Sequence, residues 1–283
     1  MRLFLVLLLA FLLSPVHGGE SAEFSRALAA YKAGQYVQAL DEFKKIAEDE
    51  GRISAALCHN IANCEYRLGQ AVGAAGKDLT PDQTKEVASR EGQAGIWYRR
   101  ALALDPLLSE ASQNLRFLHS KNGFHMFEPE GAVSGFIYRI SRSKWTLACM
   151  AAGWLTVIPL VWLLWACPRR GRRWPLVTLL CVAGFLTLGF GAGLWWKRSE
   201  AAPFADRLVN TAAPVSQVRS APAEAAGTVM EVKPGSELRP LREEGFWTYV
   251  ELPGSNEDLR PTRGWVRTTT VEKLWPWNRS LVD

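Results

Sequence analysis

The sequence predicts a multidomain membrane protein: an all-α helical repeat, then a two-helix transmembrane hairpin, then a small all-β barrel. Three observations carry this. Two apolar runs free of charge, residues 145–167 and 174–196, are each 23 residues long and stand on either side of a six-residue basic break. Upstream of them, apolar and small residues recur at helical spacing. Downstream, short alternating runs are cut by Ala-Pro and Pro-Gly turns.

At ~1.5 Å rise per residue each apolar run reaches roughly 34 Å, enough to cross a hydrocarbon core of ~30 Å. The break, residues 168–173, holds four arginines and reads as a turn on the cytoplasmic side. Trp145, Trp165, Trp174, Trp195 and Trp196 fall at the run ends, where indole rings favour the interface. Residues 1–18 combine Arg2, an apolar stretch from Leu3 to Leu13 and the small exit Val16-His17-Gly18. That is the layout of a secretory signal, cleaved after Gly18 or kept as an anchor; in both cases the chain beyond it is exported. The expectation is therefore residues 19–144 outside, the arginine turn inside and residues 197–283 outside. Arg139, Arg142 and Lys144 crowd the outer end of the first span, but the turn is denser in charge. In the second span Gly184, Gly189 and Gly193 form a small-residue face expected to pack on Ala148 and Ala152 of the first. Residues 119–144 read as a flexible linker in which Phe136, Ile137 and Ile140 share a face suited to the membrane surface.

Charge removes one class of function. Residues 19–118 carry 12 Lys and Arg against 14 Asp and Glu, and residues 199–283 carry 10 against 12. The net positive charge sits in the signal and around the spans, so it reports membrane insertion. No nucleic-acid-binding face is expected.

The first domain opens at Ala22. Tyr31, Gly34, Tyr36, Ala39 and Phe43 place a turn glycine, a small contact residue and an aromatic filler where two helices pack closely. A second unit starts at Ala55, runs through Asn63 and Tyr66, and turns at Leu68-Gly69-Gln70. Its second helix carries Ala94, Trp97, Tyr98 and Ala101 and ends at Asp105-Pro106, and one more helix covers residues 110–118. Between its two helices lies an insertion near residues 72–92, where Thr80-Pro81 reads as the N-cap and first residue of an extra or lengthened helix. These residues, over about 90 positions, resemble the tetratricopeptide repeat (TPR). The resemblance implies a concave peptide-binding groove offering Phe24, Leu28, Tyr31, Lys32, His59, Asn63, Tyr66, Arg67, Gln113 and Asn114. Several of these have packing as an alternative role. Phe24 stands where the first lysine of the carboxylate clamp used by some relatives would be.

Past residue 205 five short strands are expected at residues 215–218, 229–232, 237–240, 247–252 and 264–267. The order Val218-Arg219-Ser220, Pro234-Gly235-Ser236, Phe246-Trp247 and Gly264-Trp265-Val266 resembles the bacterial SH3 (SH3b) domain, over residues 205–275. The resemblance implies a ligand face of aromatics, with Phe246 and Trp265 as candidates; for Trp265 a core role is the alternative. Trp275-Pro276-Trp277 reads as an exposed aromatic stretch leading into a tail of residues 276–283.

Chemistry is expected to be absent. There is no phosphate-cradling glycine loop and no nucleophile motif, and the spacing of His119, His125 and Glu128 matches no rigid metal site. Cys58 and Cys64 lie six helical residues apart, about 9 Å along the axis, beyond the ~7 Å Cα limit of a disulfide. No catalytic residue, cofactor or metal is assigned, and an enzyme is not expected. The order of signal, helical repeat, basic-looped hairpin and SH3b domain resembles the BatE family of the Bacteroides aerotolerance (Bat) operon. It implies a two-pass scaffold of the bacterial inner membrane, with TPR and SH3b domains on the extracytoplasmic side. The implied partners are the lipid bilayer, Bat proteins with von Willebrand A domains and, indirectly, a MoxR-type ATPase. A reading from another class is a peptidoglycan-binding wall sensor or anchor acting through the SH3b domain.

Overall fold

The computed structural model describes residues 22–74, 78–127, 142–165, 173–254 and 260–278. The export signal, the arginine turn apart from Arg173, the face of Phe136, Ile137 and Ile140, and residues 279–283 lie outside the described residues.

Five helices build the first unit: α1 (Ala22–Lys32), α2 (Tyr36–Ala47), α3 (Ala55–Gly73), α4 (Pro81–Leu104) and α5 (Ser109–Asn122). Gly34 reverses the chain between α1 and α2 at φ +78°, a backbone that glycine adopts without strain. Ala27, Ala30, Ala39 and Phe43 then meet in one buried seam. Thr80 caps α4 in a reciprocal box with Gln83, and Pro81 opens the helix. From there α4 runs unbroken to Leu104, so residues 81–92 lengthen a helix and add no separate element. Gly69, expected at a turn, sits inside α3. A Cβ there would meet the Arg90 Cβ at 3.1 Å, so the small residue serves close helix packing and not chain reversal. Glu65, buried on α3, ties the layers together by accepting from Lys44 of α2 (2.7 Å) and Arg90 of α4 (2.8 Å).

Helices α6 (Arg142–Trp165) and α7 (Arg173–Ala205) pair as a hairpin. Their stretches Lys144–Leu163 and Trp174–Trp195 are long and apolar enough to cross a membrane. In each, 11% of the apolar window is buried within the protein, so side chains such as Trp154, Phe185 and Leu188 face outward. The seam holds Ala152, Ala183 and a Thr156–Thr187 hydroxyl pair at 3.3 Å. Trp145 turns into that seam instead of staying at the outer rim: its ring stands 5.8 Å from Phe190 and fills the space beside Gly193. Gly184 and Gly189 look into open space, so Gly193 alone of the three supports close approach.

Seven strands form an antiparallel sheet: β1 (Leu208–Asn210), β2 (Ser216–Arg219), β3 (Thr228–Val232), β4 (Glu237–Glu244), β5 (Trp247–Leu252), β6 (Thr262–Arg267) and β7 (Val271–Lys273). Their order is β3-β2-β6-β5-β4-β1-β7. The five expected strands are all present, and β1 and β7 are additions. Val218, Val232, Leu238, Val250, Leu252 and Val266 make the sheet's core.

The sheet is seated directly on α4. Gly92 and Gly235 meet backbone to backbone: a Cβ at Gly92 would fall 2.5 Å from the Pro234 Cβ. Arg99, 4% exposed, donates to Glu237 (3.2 Å) and to the Gly235 carbonyl, while Arg207 reaches the other Glu237 oxygen at 2.8 Å. Arg100 donates through Nε to the Leu274 carbonyl (2.8 Å) and through a terminal nitrogen to Glu272 (3.2 Å). Its guanidinium lies over the rings of Trp97 (4.5 Å) and Trp277 (5.3 Å). Two expectations are corrected here. The first part of the linker is not a free tether: α5 extends to Asn122, and beyond it the His125 N–H donates to Ser236 (3.0 Å) while its carbonyl accepts from Glu237 N–H (2.8 Å). Nor is the Trp275–Trp277 pair an exposed tail. Trp275 is fully buried, and the Trp277 indole donates to the Ala47 carbonyl at 3.1 Å.

Glu237→Gln would leave the buried Arg99 and the half-buried Arg207 guanidiniums facing one neutral partner. It is expected to cost about 3–5 kcal/mol, read as a lowered thermal unfolding midpoint. Gly92→Ala is expected to force the sheet off α4, seen as faster amide exchange in β4 with exchange in α1 and α2 unchanged.

Candidate functional site

Helices α1, α3, α4 and α5 converge on a pocket of about 140 Å³. At its floor the Tyr98 hydroxyl donates to Asn63 Oδ1 (2.6 Å) and accepts from Asn114 Nδ2 (3.0 Å). This leaves one amide donor group on Asn63 and one amide acceptor on Asn114 for a further partner. Tyr31, Tyr66, Arg67, Phe117 and Leu118 line the rest of the pocket. Tyr66 meets Phe117 edge to face, with centroids 6.2 Å apart. Gln70 braces the rim, donating to the Tyr66 hydroxyl (2.8 Å) and accepting from Arg67 (3.2 Å). Burial pushes the Tyr98 phenol pKa up, so it stays a neutral hydrogen-bonding group. The neighbouring Tyr31 hydroxyl holds the Arg67 pKa above its ordinary value, and that guanidinium is exposed at the mouth. The pocket combines phenols, carboxamides, one apolar ring, one leucine and one cation, which suits a side chain presented with adjacent peptide groups.

Five of the ten residues expected in the groove therefore meet: Tyr31, Asn63, Tyr66, Arg67 and Asn114. The others lie elsewhere. Phe24 packs on Phe43 (5.4 Å) and Leu28 on the same core. Lys32 and Gln113 are exposed outside the pocket. His59 stacks at 5.8 Å from Tyr98; burial lowers its pKa, and its Nε2 has no hydrogen-bond partner among the described residues. Tyr98, Phe117 and Leu118 complete the pocket without standing among the expected ten. For the last two a signal exists: they follow Asn114 at i+3 and i+4 and so share its helix face.

On the sheet the two expected aromatics part company. Phe246 projects from the β4–β5 turn, 77% exposed. Trp265 is 6% exposed, covered by Tyr249 (5.0 Å) and by the Arg242 guanidinium (5.2 Å). Little of its ring remains for a ligand. A larger open cleft, about 1200 Å³, lies between α2 and α4 on one side and the β1–β2 loop and β7 on the other. Trp97, Arg100 and Trp277 line it, and Lys44, Glu65, Arg90 and Glu272 add charges already engaged in ion pairs.

The helical domain's cysteines contribute packing. Cys58 and Cys64 are free and buried, and burial pushes both thiols up to about 12. Comparison of the chain with family models, with curated proteins and with solved structures gave no match.

Tyr98→Phe removes the hydroxyl that both amides use and is expected to cost about 1 kcal/mol of stability in denaturant titration. A maleimide reagent is expected to spare Cys58 and Cys64 in the native protein and to label both after unfolding.

Proposed function

We propose that this protein is a two-pass membrane scaffold that binds other envelope proteins, and that it is not an enzyme. The observation that carries the reading is the α1–α3–α4–α5 pocket, which gathers Tyr31, Asn63, Tyr66, Arg67 and Asn114 around the Tyr98 hydroxyl. In this reading the helical domain is a TPR-type repeat with its groove at that pocket, and the sheet is an SH3b-type module. α6 and α7 cross the bacterial inner membrane, with both domains on the extracytoplasmic side. The seat of the sheet on α4 supports placing both domains on one side of the bilayer, since domains in direct contact require both ends of the hairpin to emerge on the same face. The exposed apolar sides of α6 and α7 need a lipid-like surrounding for the same reason that a core needs burial.

The partners we propose are von Willebrand A-domain proteins of a Bat-type complex. A MoxR-type ATPase would be reached indirectly, through other membrane subunits. Tethering by the hairpin raises the effective concentration of captured partners at the membrane surface. A second reading, a peptidoglycan-binding wall anchor, draws on exposed Phe246.

Affinity purification of the detergent-solubilised protein from its own cells, with mass spectrometry and a digested-wall control, separates the two. The scaffold reading expects von Willebrand A-domain membrane proteins, lost on Tyr66→Ala with Arg67→Ala and retained on Phe246→Ala. Recovery of wall fragments alone, lost on Phe246→Ala and indifferent to the pocket substitutions, would replace it with the anchor.

A further inference from the structure

Helix α7 does not stop where its apolar stretch stops. From Trp195 it continues to Ala205, roughly 15 Å further at ~1.5 Å per residue. Its last residues are built into the junction between the two domains. Phe204 and Ala205 are buried in one cluster with Ile96 of α4, Val209 of β1, and Leu274 and Trp275 after β7. The aromatic contacts then run on without a gap. Phe204 stands 6.3 Å from Trp275, Trp275 stands 5.0 Å from Trp277, and Trp277 stands 5.7 Å from Trp97. Trp277 and Trp97 hold the Arg100 guanidinium, and all three line the 1200 Å³ cleft between the domains.

We infer that α7 is a transmission element: a change in the tilt or depth of the hairpin moves Phe204 against Trp275 and resets the width of the inter-domain cleft. The inference rests on the membrane reading of α6 and α7. The physical grounds are continuity and packing. Helix α7 is continuous from its apolar stretch through Pro203 in its last turn to Phe204, and that far end is packed among buried side chains whose neighbours must shift when it moves. Arg99 and Arg100, neighbours on α4, hold the sheet at Glu237 and at the Leu274 carbonyl, so its movement is confined to a shear smaller than one residue. Of the ion pairs lining the cleft, Lys44–Glu65 and Arg90–Glu65 lie within the helical domain and are untouched by a shift of the sheet, while Arg100–Glu272 crosses the cleft with its carboxylate 41% exposed and free to follow a small displacement.

The test uses the full-length protein in lipid nanodiscs of short-chain or long-chain phosphatidylcholine. Spin labels are placed on the two walls of the cleft at Lys85→Cys and Lys273→Cys. Cys149, Cys167 and Cys181 are replaced by alanine, and buried Cys58 and Cys64 stay unlabelled. Bilayer thickness changes helix tilt. The mean label distance is expected to shift between thin and thick discs by at least one helical rise, ~1.5 Å. Two glycines inserted after Lys197 should abolish the shift, and Phe204→Ala should reduce it. An equal distance in both bilayers, or a shift that survives the glycine insertion, would overturn the coupling and leave the membrane reading standing. Failure of the protein to enter nanodiscs at all would remove both.

Discussion

Glu237 holds the two domains of this protein in register. Its carboxylate is buried at the start of β4 and receives Arg99 from α4 on one oxygen and Arg207 on the other, with the Phe127 N–H at 3.2 Å as a third donor. Burying such a cluster costs several kcal/mol per ion before attraction repays it, so it adds little net stability compared with an apolar seat. What it adds is geometry. The same Arg99 must also satisfy the Gly235 carbonyl, and Gly92 must lie against Gly235. A seat shifted by one residue in either direction would strand a buried charge.

That seat decides how everything else is arranged. It pins the Phe124–Phe127 strip between α5 and β4 and turns residues that read as a tether into part of an interface. It brings the rings of Trp275 and Trp277 onto α4, where Arg100 lies against the adjoining rings of Trp97 and Trp277 and is hydrogen-bonded to a backbone carbonyl. It also fixes where α7 ends, since Phe204 has a buried place only while α4, β1 and the segment after β7 are together. The pocket on the helical domain lies among α1, α3, α4 and α5 and draws on none of these contacts. The pocket and the domain junction therefore stand on separate sets of side chains, linked through α4.

Much of the helical domain is legible residue by residue. Gly34, Thr80-Pro81 and Asp105-Pro106 announce a turn, a start and a stop through local backbone chemistry, and the structure uses each in that way. Gly69 misleads because a glycine that turns a chain and one that admits a neighbouring helix look alike in one dimension. Reading it as a turn also hides Gln70, which braces the pocket rim only because α3 continues past Gly69. Among the strands, the alternating runs are visible, whereas β1 and β7, three residues each, are too short to show a period. Trp265 is ambiguous for a different reason. Its burial depends on Arg242 lying across it, a contact made between strands.

The inventory of parts is written in the chain itself: five helices, an apolar hairpin, a run of short strands, and the polar and aromatic residues from which a pocket is made. These follow from periodicity, capping and turn chemistry, which act over a few neighbouring residues. Which of those residues meet is settled only when the domains pack. The Arg99–Glu237 bond spans 138 positions, and no local propensity registers it. A buried arginine and an exposed one are the same letter until the surface that covers it has folded.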